Sequence, residues 1–275
     1  MSELAVSMPA FNSGQYIKEA INSVLRQDGV DFELIVIDDS SHDNTAEIVN
    51  SIADARIRLI KKRQNMGIAH CHNLVIEQCK STFIAHVDSD DIVLPGAFER
   101  MLRELKSNNN ISYVHCNYTF IDDHGQTINK TSLRSRNRFL ESRDVAIDYR
   151  RELLIRGGEA ANHLRTYRRE VFDVVGPFNE RLKYGEDYDM ALRIADKFTI
   201  KLVPDILYLK RIHKDSITES LPLQSILFFI NRLQICRNLV KSGEITFTKN
   251  KKYNLRKLMI WSLLNNIKEL FLRIR

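Results

Sequence analysis

The chain is poor in the residues that mark disulfide-bonded, collagen-like or low-complexity proteins. Its 275 residues include only 4 cysteines, 10 glycines, 5 prolines and 1 tryptophan. The cysteines show no CxxC spacing, which favours reduced thiols over a disulfide framework. With so few glycines and prolines, no segment has the composition of a flexible linker. These absences, together with 44% hydrophobic and 28% charged residues, indicate a globular chain of one large domain, with or without an appendage.

Long hydrophobic runs are also missing. The first residues, MSELAVSMPAFN, lack the basic and apolar regions of a signal peptide. The longest apolar run near the C-terminus, residues 226–230, is far too short to span a bilayer. We therefore expect a soluble protein of the cytoplasm, or one attached peripherally to the inner face of a membrane.

Several motifs of common enzyme classes are absent as well. The sequence contains no GxxxxGK[ST], no GxGxxG and no GxSxG, which removes the main support for kinase-like, dinucleotide-binding and α/β-hydrolase functions. His70 and His72 do not suggest a zinc site, because side chains two residues apart on a helix point to nearly opposite sides.

Positive charge is concentrated at the C-terminal end. The net charge is +6, but residues 241–275 contain nine basic and two acidic residues (9 − 2 = +7), so the other 240 residues carry about −1. The same segment spaces its apolar residues close to a helical face. A basic amphipathic helix is typical of a membrane surface, although nucleic acid is another anionic partner. Packing of this helix on its own domain explains the pattern equally well.

Strand and helix patterns alternate through the N-terminal half. Short apolar runs at 4–8, 33–37, 57–60 and 83–87 are separated by helical patterns at 16–26, 43–53 and 67–79. This order predicts an α/β fold with a mostly parallel central sheet and helices on both faces. The second half is less regular, with strand patterns at 111–120 and 199–209 and helical patterns at 184–197 and 221–240.

Acidic residues follow two of the predicted strands. Because ligands bind beyond the carboxyl ends of the strands in such sheets, we expect Asn12, Asp38–Asp39 and residues 88–91 to line one crevice. The strongest signal is HVDSDD at 86–91, with three carboxylates in four residues. Their repulsion requires a cation or ligand donors, and oxygen ligands suit Mg²⁺ or Mn²⁺. The structural alternative is that these residues cap a helix beginning at Ile92.

Three further polar groups are open to a functional and a structural explanation. A buried carboxylate in the loop 38–41 could accept an N–H of a pyrimidine base, although a capped turn explains the loop more simply. A carboxylate in the segment 185–189, at the start of a helix, could stay ionised as a general base. Ordinary helix capping is the alternative there. Residues 211–216, beginning with Arg211, could hold a diphosphate or complete a metal site.

Taken in order, six segments resemble the inverting family 2 glycosyltransferases of bacterial type. VDSDD and VGPFNE…GEDYDMALR are the most specific parts of the match. The resemblance implies a GT-A fold and metal-dependent transfer, of hexosyltransferase type, from a nucleotide-diphosphate donor such as a UDP-sugar. The acceptor would be a hydroxyl of a glycan or lipid-linked glycan, as in cell-surface polysaccharide synthesis. The six segments are VSMPAFN (6–12), FELIVIDDSSHDNT (32–45), RQNMGIAHCHN (63–73), FIAHVDSDDIVLPGAFE (83–99), VFDVVGPFNERLKYGEDYDMALRIA (171–195) and RIHKDSIT (211–218).

The resemblance also implies a role for individual residues. Asp187 would be the catalytic base, with Glu186 beside it contacting acceptor or donor. Asp90 would bind Mn²⁺ or Mg²⁺, with His213 as a further ligand. Among the residues that would bind the nucleotide-sugar donor, Asp39 would accept a hydrogen bond from the uracil ring and Asp88 would contact the ribose or sugar. The donor-binding residues would be Pro9, Ala10, Asn12, Asp39, Asn65, Asn73, Asp88 and Ser89.

On this basis residues 1–216 form the catalytic domain, with a nucleotide-sugar half at about 1–100 and an acceptor half at about 101–216. Residues 217–275 form a helical extension, basic and amphipathic. Met190 and Ala191 stand where an aromatic residue is often seen in the family, and the segment 129–165 does not match it. Both departures concern the acceptor side.

Three alternatives remain open. A metal-dependent nucleotidyltransferase would release pyrophosphate rather than UDP. A non-catalytic nucleotide-sugar or membrane-binding module would bind without turnover, although the presence of Asp90 and Asp187 argues against lost activity. A nucleic-acid partner is not expected, and steep salt dependence of DNA binding without UDP affinity would indicate one.

Overall fold

A single sheet connects the strands that the structure describes. The structure is a computed structural model in which residues 1–128, 148–214 and 222–246 are described. The strands are β1 (Leu4–Ala10), β2 (Phe32–Asp38), β3 (Ile57–Lys61), β4 (Phe83–His86), β5 (Ile92–Val93), β6 (Ile111–Ile121), β7 (Thr127–Ile128), β8 (Thr166–Arg168) and β9 (Thr199–Arg211).

Helices flank this sheet. The helices are α1 (Ile17–Leu25), α2 (Thr45–Asn50), α3 (Ile68–Gln78), α4 (Ala97–Ser107), α5 (Tyr149–Arg156), α6 (Val171–Val175), α7 (Glu186–Lys197) and α8 (Pro222–Ser242), with a 3-10 turn at Gly157–Ala161 after α5.

The N-terminal half forms the parallel sheet that the sequence predicts. Strands β3, β2, β1 and β4 lie side by side in that order, and all three pairings are parallel. Ala10 pairs with Asp38 and Ser7 with His86. The loops that follow β1, β2 and β4 therefore leave from the same edge of the sheet.

The second half continues the sheet with mixed directions. Strand β8 pairs antiparallel with both β4 and β6, and β9 runs parallel to β6. The order along the sheet is β3-β2-β1-β4-β8-β6-β9-β5. Strand β8 is absent from the sequence prediction, because its three residues, Thr-Tyr-Arg, have no strand-like hydrophobic pattern.

One sequence expectation about this half is wrong. The segment from Ile92 does not begin a helix: Ile92–Val93 is strand β5, which pairs antiparallel with β9. Helix α4 begins only at Ala97, after Gly96 in the left-handed conformation (φ 74°). The acidic residues 88–91 therefore do not cap a helix at Ile92.

The core lies on both faces of the sheet, as expected for strands without a polar side. Ile35 and Ile37 of β2 face one apolar layer, with α3, α5 and α7. Leu34 and Val36 face the other, with α1 and α4. All four side chains are fully buried, and each contributes about 1.5–3 kcal/mol of hydrophobic stabilisation.

The described part of the C-terminal extension packs on the domain. Ile235, Leu239 and Ile245 are buried in the same apolar layer as α7, and the Thr246 N–H donates to Asp196 Oδ1 at 3.0 Å. The basic amphipathic segment and the boundary near Ser216 lie outside the described residues, apart from the first positions of that segment. Among the residues that the structure describes, no helix has the length and apolar character needed to cross a membrane.

Two buried histidines stack beneath the carboxyl edge of the sheet. The rings of His72 and His86 are parallel, with centroids 3.6 Å apart, and His72 Nδ1 lies 2.9 Å from Ser7 Oγ. Burial lowers the pKa of His72 to about 3 and lowers the pKa of His86 well below its ordinary value. Both rings are therefore neutral in the folded protein at neutral pH.

This burial predicts a loss of stability in mild acid. A histidine whose pKa is lowered by folding stabilises the protein above the unfolded pKa of about 6.5, and that stability is lost as the pH falls toward the folded pKa. The free energy of unfolding of the wild type should fall as the pH is lowered from about 7.5 to about 5. We expect this fall to be about 2 kcal/mol smaller in His86→Phe. Urea unfolding at both pH values measures the difference. His124→Phe, at an exposed turn position, is the control, and an equal pH loss in all three proteins would contradict the prediction.

Candidate active site

The acidic loop 88–91 is held by strand β9. Its connection is short, because β4 ends at His86 and β5 begins at Ile92. The Asp88 N–H donates to Tyr208 Oη at 3.1 Å, and Asp91 Oδ1 accepts from the Arg211 N–H at 2.7 Å. The position of this loop therefore depends on a strand that follows it by more than a hundred residues in the sequence.

The structure brings together the two residues expected to bind a metal. Asp90 Oδ2 lies 2.9 Å from His213 Nε2, and the side chains are 31% and 10% exposed. One carboxylate and one imidazole, both partly accessible, are suitable ligands for a divalent ion. Metal binding by this pair stays a prediction.

A second set of possible ligands lies beside this pair. Ligand atoms of Asp88, Asp91 and His163 all lie within 4.8 Å of one another. His163 is 3% exposed, and its Nε2 has no hydrogen-bond partner among the residues that the structure describes. Burial and the charges of Asp90 and Asp88 raise the pKa of Asp91 well above its ordinary value. The surplus of negative charge and the unpaired imidazole nitrogen both fit a divalent cation here.

Sequence reasoning missed His163. It is an isolated histidine within the segment 129–165, which did not match the family. Only its residue type pointed to metal binding, and this signal is weak because a lone histidine is more often structural than functional.

The expected catalytic base lies at the start of α7. Asp187 Oδ2 accepts from Arg165 Nη2 at 2.9 Å, and Asp187 Oδ1 accepts from the Tyr188 N–H at 2.7 Å. The residue that caps α7 is Gly185, which makes no side-chain capping bond. Burial and the neighbouring Asp187 charge raise the pKa of Glu186 to about 7, so Glu186 is partly protonated at neutral pH.

Helix α8 packs directly on this start of α7. Gly185 has φ 84°, and a Cβ atom built on it would lie 3.0 Å from Ile235 Cδ1. Asn231 Nδ2 donates to the Tyr184 carbonyl at 2.6 Å. On its other side, a Cβ at Gly158 would lie 3.4 Å from Asp187 Oδ2. Gly158 thus lies next to the Asp187 carboxylate, and Gly185 contacts α8.

The acidic loop and the start of α7 face each other across Arg165. Arg165 forms the ion pair with Asp187, and the Asp88 charge acts on both Arg165 and Glu186. Arg165 was not identified from the sequence, because it precedes a strand whose pattern is too short to detect. Arg165 therefore connects the end of β4, through the bond from the His86 N–H to its carbonyl, with the expected base at the start of α7.

The loops after β1 and β2 form the next part of the same edge. Ser13 Oγ lies 2.7 Å from Ser89 Oγ, which joins the first loop to the acidic loop. Asn12, in the left-handed conformation (φ 51°), donates its N–H to Ser41 Oγ at 2.9 Å and accepts from the His42 N–H at 2.8 Å. The Ala10 carbonyl accepts from the Asp39 N–H at 2.8 Å.

Asp39 holds the turn that leads into α3. Its two carboxylate oxygens accept from the N–H groups of Met66 and Gly67, at 2.9 and 2.8 Å. Asn65, in the same turn, is exposed, and Pro9 is half-buried in β1. The proposed contacts of these residues with a donor stay predictions.

Asn73 has a packing role in the structure. Its side chain exchanges hydrogen bonds of 2.9 and 2.7 Å with the Phe178 carbonyl and N–H, and it donates to Glu180 Oε1 at 2.7 Å. These bonds fix the segment before α7 to α3. The structure does not bring Asn73 to the acidic loop, and its part in a donor pocket stays a prediction.

Arg211 does not hold a diphosphate, contrary to one of the sequence expectations. It is 2% exposed, and its guanidinium donates to the Asp90 carbonyl at 2.9 Å, to the Asp122 carbonyl at 3.0 Å and to Glu19 Oε2 at 2.5 Å. All these partners belong to the protein, so Arg211 joins α1, the acidic loop and the end of β9.

These contacts predict a large loss of stability for Arg211→Met. The substitution removes the guanidinium bonds to the Asp90 and Asp122 carbonyls and to Glu19, and we expect the free energy of unfolding to fall by about 2 kcal/mol or more. Urea unfolding measures this value. Arg103→Met is the matched control, because the Arg103–Glu99 pair on α4 is 65% and 54% exposed and should contribute less than about 0.5 kcal/mol. Equal decreases in the free energy of unfolding of the two variants would contradict the structural role of Arg211.

Comparison with known proteins gives one family match. The model of the family "Glycosyl transferase family 2" matches residues 5–176. The chain is 28% identical over 215 residues to a chondroitin synthase of Pasteurella multocida, an alignment covering 78% of this chain and 21% of that protein. It is 35% identical over 120 residues to the UDP-Glc:alpha-D-GlcNAc-diphosphoundecaprenol beta-1,3-glucosyltransferase WfgD of Escherichia coli, covering 44% of this chain and 47% of that one.

A solved structure shares the fold. The mannosyltransferase PcManGT from Pyrobaculum calidifontis, in complex with GDP-Man and Mn²⁺, superimposes with a TM-score of 0.68 at 14% sequence identity. The superposition covers 98% of this chain and 74% of that structure. The chain thus spans much of this structure but only about a fifth of the chondroitin synthase.

Proposed function

Because the chain belongs to glycosyl transferase family 2 and has a fold of the GT-A type, we propose that it is an inverting, metal-dependent glycosyltransferase. It transfers a sugar from a UDP-sugar to a hydroxyl of a glycan or lipid-linked glycan, in cell-surface polysaccharide synthesis. The observation that carries this proposal is the convergence of the acidic loop 88–91 and the pair Glu186–Asp187 on Arg165.

The proposed reaction is a single displacement at the anomeric carbon. Asp187 takes the proton of the acceptor hydroxyl while the hydroxyl oxygen forms the new bond to carbon. The bond to the donor phosphate oxygen breaks, and the nucleoside diphosphate leaves with its electron pair from the opposite face. Configuration is therefore inverted.

Asp90 and His213 are the residues that would hold Mn²⁺ or Mg²⁺. Such an ion, when bound, offsets the negative charge that develops on the leaving diphosphate. The contact between the two side chains, and the unpaired buried nitrogen of His163 next to Asp88 and Asp91, support a cation at this edge of the sheet.

The loops after β1 and β2 form the proposed nucleotide side. Pro9, Ala10 and Asn12 would lie along the base, and Asp39 would accept an N–H of uracil. Asn65 and Asn73 would border this pocket, while Asp88 and Ser89 would meet the ribose or sugar. A UDP-sugar is favoured over GDP-mannose by the name of the WfgD relative.

A panel of nucleotide sugars tests the proposal directly. UDP-glucose, UDP-galactose, UDP-N-acetylglucosamine, UDP-glucuronate and GDP-mannose are incubated with the protein, with and without Mn²⁺. Release of free UDP that depends on Mn²⁺ supports the transferase. Release of pyrophosphate in a parallel incubation with UTP and glucose 1-phosphate would identify a nucleotidyltransferase instead, and binding without any release would identify a non-catalytic module.

The two carboxylates Asp187 and Asp90 should have opposite phenotypes. We expect Asp187→Asn to lower kcat by about 1000-fold or more, because it removes the proton acceptor, while Mn²⁺-dependent UDP affinity stays within about threefold. Asp90→Asn should instead lose most of that affinity. Calorimetric titration of UDP with and without Mn²⁺, and UDP release, measure both effects. Normal turnover of Asp187→Asn would show that the base is wrongly assigned.

We also propose that the C-terminal segment attaches the protein to the inner face of a membrane that carries a lipid-linked acceptor. Residues 247–275 contain eight basic residues and one acidic residue (8 − 1 = +7). Each Lys or Arg near an anionic surface contributes about 1 kcal/mol of attraction. The diphosphoundecaprenol acceptor in the name of WfgD supports an acceptor of this kind.

Truncation after Thr246 should separate membrane binding from catalysis. This end point keeps Ile245, which is fully buried. We expect binding to vesicles with anionic phosphatidylglycerol to fall at least about tenfold, since most of the basic charge is removed, while UDP release in solution is unchanged. A second variant tests the contribution of charge alone: the full chain with Gln in place of Lys249, Lys251 and Lys252. Vesicle binding equal to the wild type would leave the segment without this role.

A further inference from the structure

Arg165 occupies an unusual position next to the proposed catalytic base. It directly precedes β8, and its carbonyl accepts from the His86 N–H at 2.9 Å, which places Arg165 beside the strand that ends at the acidic loop. Its side chain is 11% exposed. A buried guanidinium needs partners for its charge and its donors, and the identity of those partners indicates what Arg165 does.

The partners of Arg165 belong to the site. Arg165 Nη2 donates to Asp187 Oδ2 at 2.9 Å and to Asn162 Oδ1 at 2.6 Å. Burial by itself would lower the pKa of Arg165, but the charges of Asp187 and Asp88 raise it on balance. Arg165 is therefore a permanent cation between the two groups of carboxylates.

The backbone before Arg165 adopts an unfavourable conformation. His163 and Leu164 both have positive φ, 59° and 39°, a region that side-chain-bearing residues seldom occupy. Two such residues in succession persist only where the surrounding structure imposes them, and they are concentrated at functional sites. Here they lead the chain from Asn162 to Arg165, the two residues that are joined by the guanidinium.

We propose that Arg165 is a positioning residue for the transfer reaction, an inference that rests on the proposed function. Its guanidinium fixes Asp187 through Oδ2, so that the carboxylate meets the acceptor hydroxyl in one orientation. Asn162 fixes the guanidinium in turn. Without Arg165, Asp187 would keep only the bond from the Tyr188 N–H to Oδ1, and Oδ2 would lose the side-chain donor that fixes it.

The open face of Asp187 agrees with this arrangement. The Asp187 side chain is 26% exposed, although Arg165 binds one oxygen and the Tyr188 N–H the other. The neighbouring position is Gly158, where even a Cβ atom would lie 3.4 Å from Asp187 Oδ2. The exposed part of the Asp187 side chain leaves the carboxylate that Arg165 orients accessible from outside.

A double-mutant cycle tests whether Arg165 acts through Asp187. Arg165→Met, Asp187→Asn and the double variant are compared by kcat and KM of UDP release, using the donor of the panel above with the highest turnover. We expect Arg165→Met to lower kcat by about 100-fold, the effect of a misplaced catalytic group, with KM changed by less than about threefold. In the Asp187→Asn background the same substitution should change kcat by less than about threefold, because the residue through which it acts is already disabled.

Three further measurements separate positioning from a structural or ligand-binding role. UDP affinity with Mn²⁺ should stay within about threefold of the wild type in Arg165→Met. Millimolar guanidinium should restore part of the kcat of Arg165→Ala and none in Asp187→Asn. Arg168→Met is the matched control on β8, since Arg168 donates to the Ile111 carbonyl at 2.9 Å, away from the site, and its kcat should equal that of the wild type.

Each failure has a distinct result. Equal kcat losses from Arg165→Met in both backgrounds, or a tenfold loss of UDP affinity, would overturn the role of Arg165 and indicate a direct contact with the diphosphate. Normal turnover of Asp187→Asn would instead show that the base is wrongly assigned, and no UDP release by the wild type from any donor would overturn the proposed function.

Discussion

Electrostatic repulsion at the carboxyl edge of the sheet is the constraint on which the site depends. Asp88, Asp90 and Asp91 come from one loop, and Glu186 and Asp187 come from the start of a distant helix. Burial, together with this repulsion, raises the pKa values of Asp91 and Glu186. The buried guanidinium of Arg165 offsets another part. A divalent cation bound at this site would offset the negative charge that remains.

The topology explains how residues so far apart in sequence come to share this edge. Strand β9 runs past β5 and places Tyr208 and Arg211 against the acidic loop, and its end delivers His213 to Asp90. Strand β8, only three residues long, lies between β4 and β6, and Arg165 directly precedes it. The second half of the sheet therefore orients groups that the parallel half presents.

The parallel half could be predicted because its strands are buried on both faces and are bounded by clear polar residues. The continuous apolar run of β2 ending at Asp38–Asp39 is one example. The residues expected near a metal and near a base could be named from their motifs, and the structure places Asp90 beside His213 and Asp187 near Asp88. Arg165 and His163 could not be found, because a buried cation or imidazole has no periodicity. The role of Arg211 was misjudged for a related reason: only the fold shows that its guanidinium points into the protein.

The contact between α8 and Gly185 has a consequence for how this chain can vary. Only glycine suits position 185, both because of its positive φ and because Ile235 fills the space where a side chain would lie. A side chain at position 185 would press against Ile235 and Asn231 of α8. Since Asp187 is two residues from this contact, the seating of the C-terminal helix and the aim of the carboxylate are mechanically linked. A change of sequence far from the crevice, on the outward helix, can thus alter the geometry at which the chemistry is done.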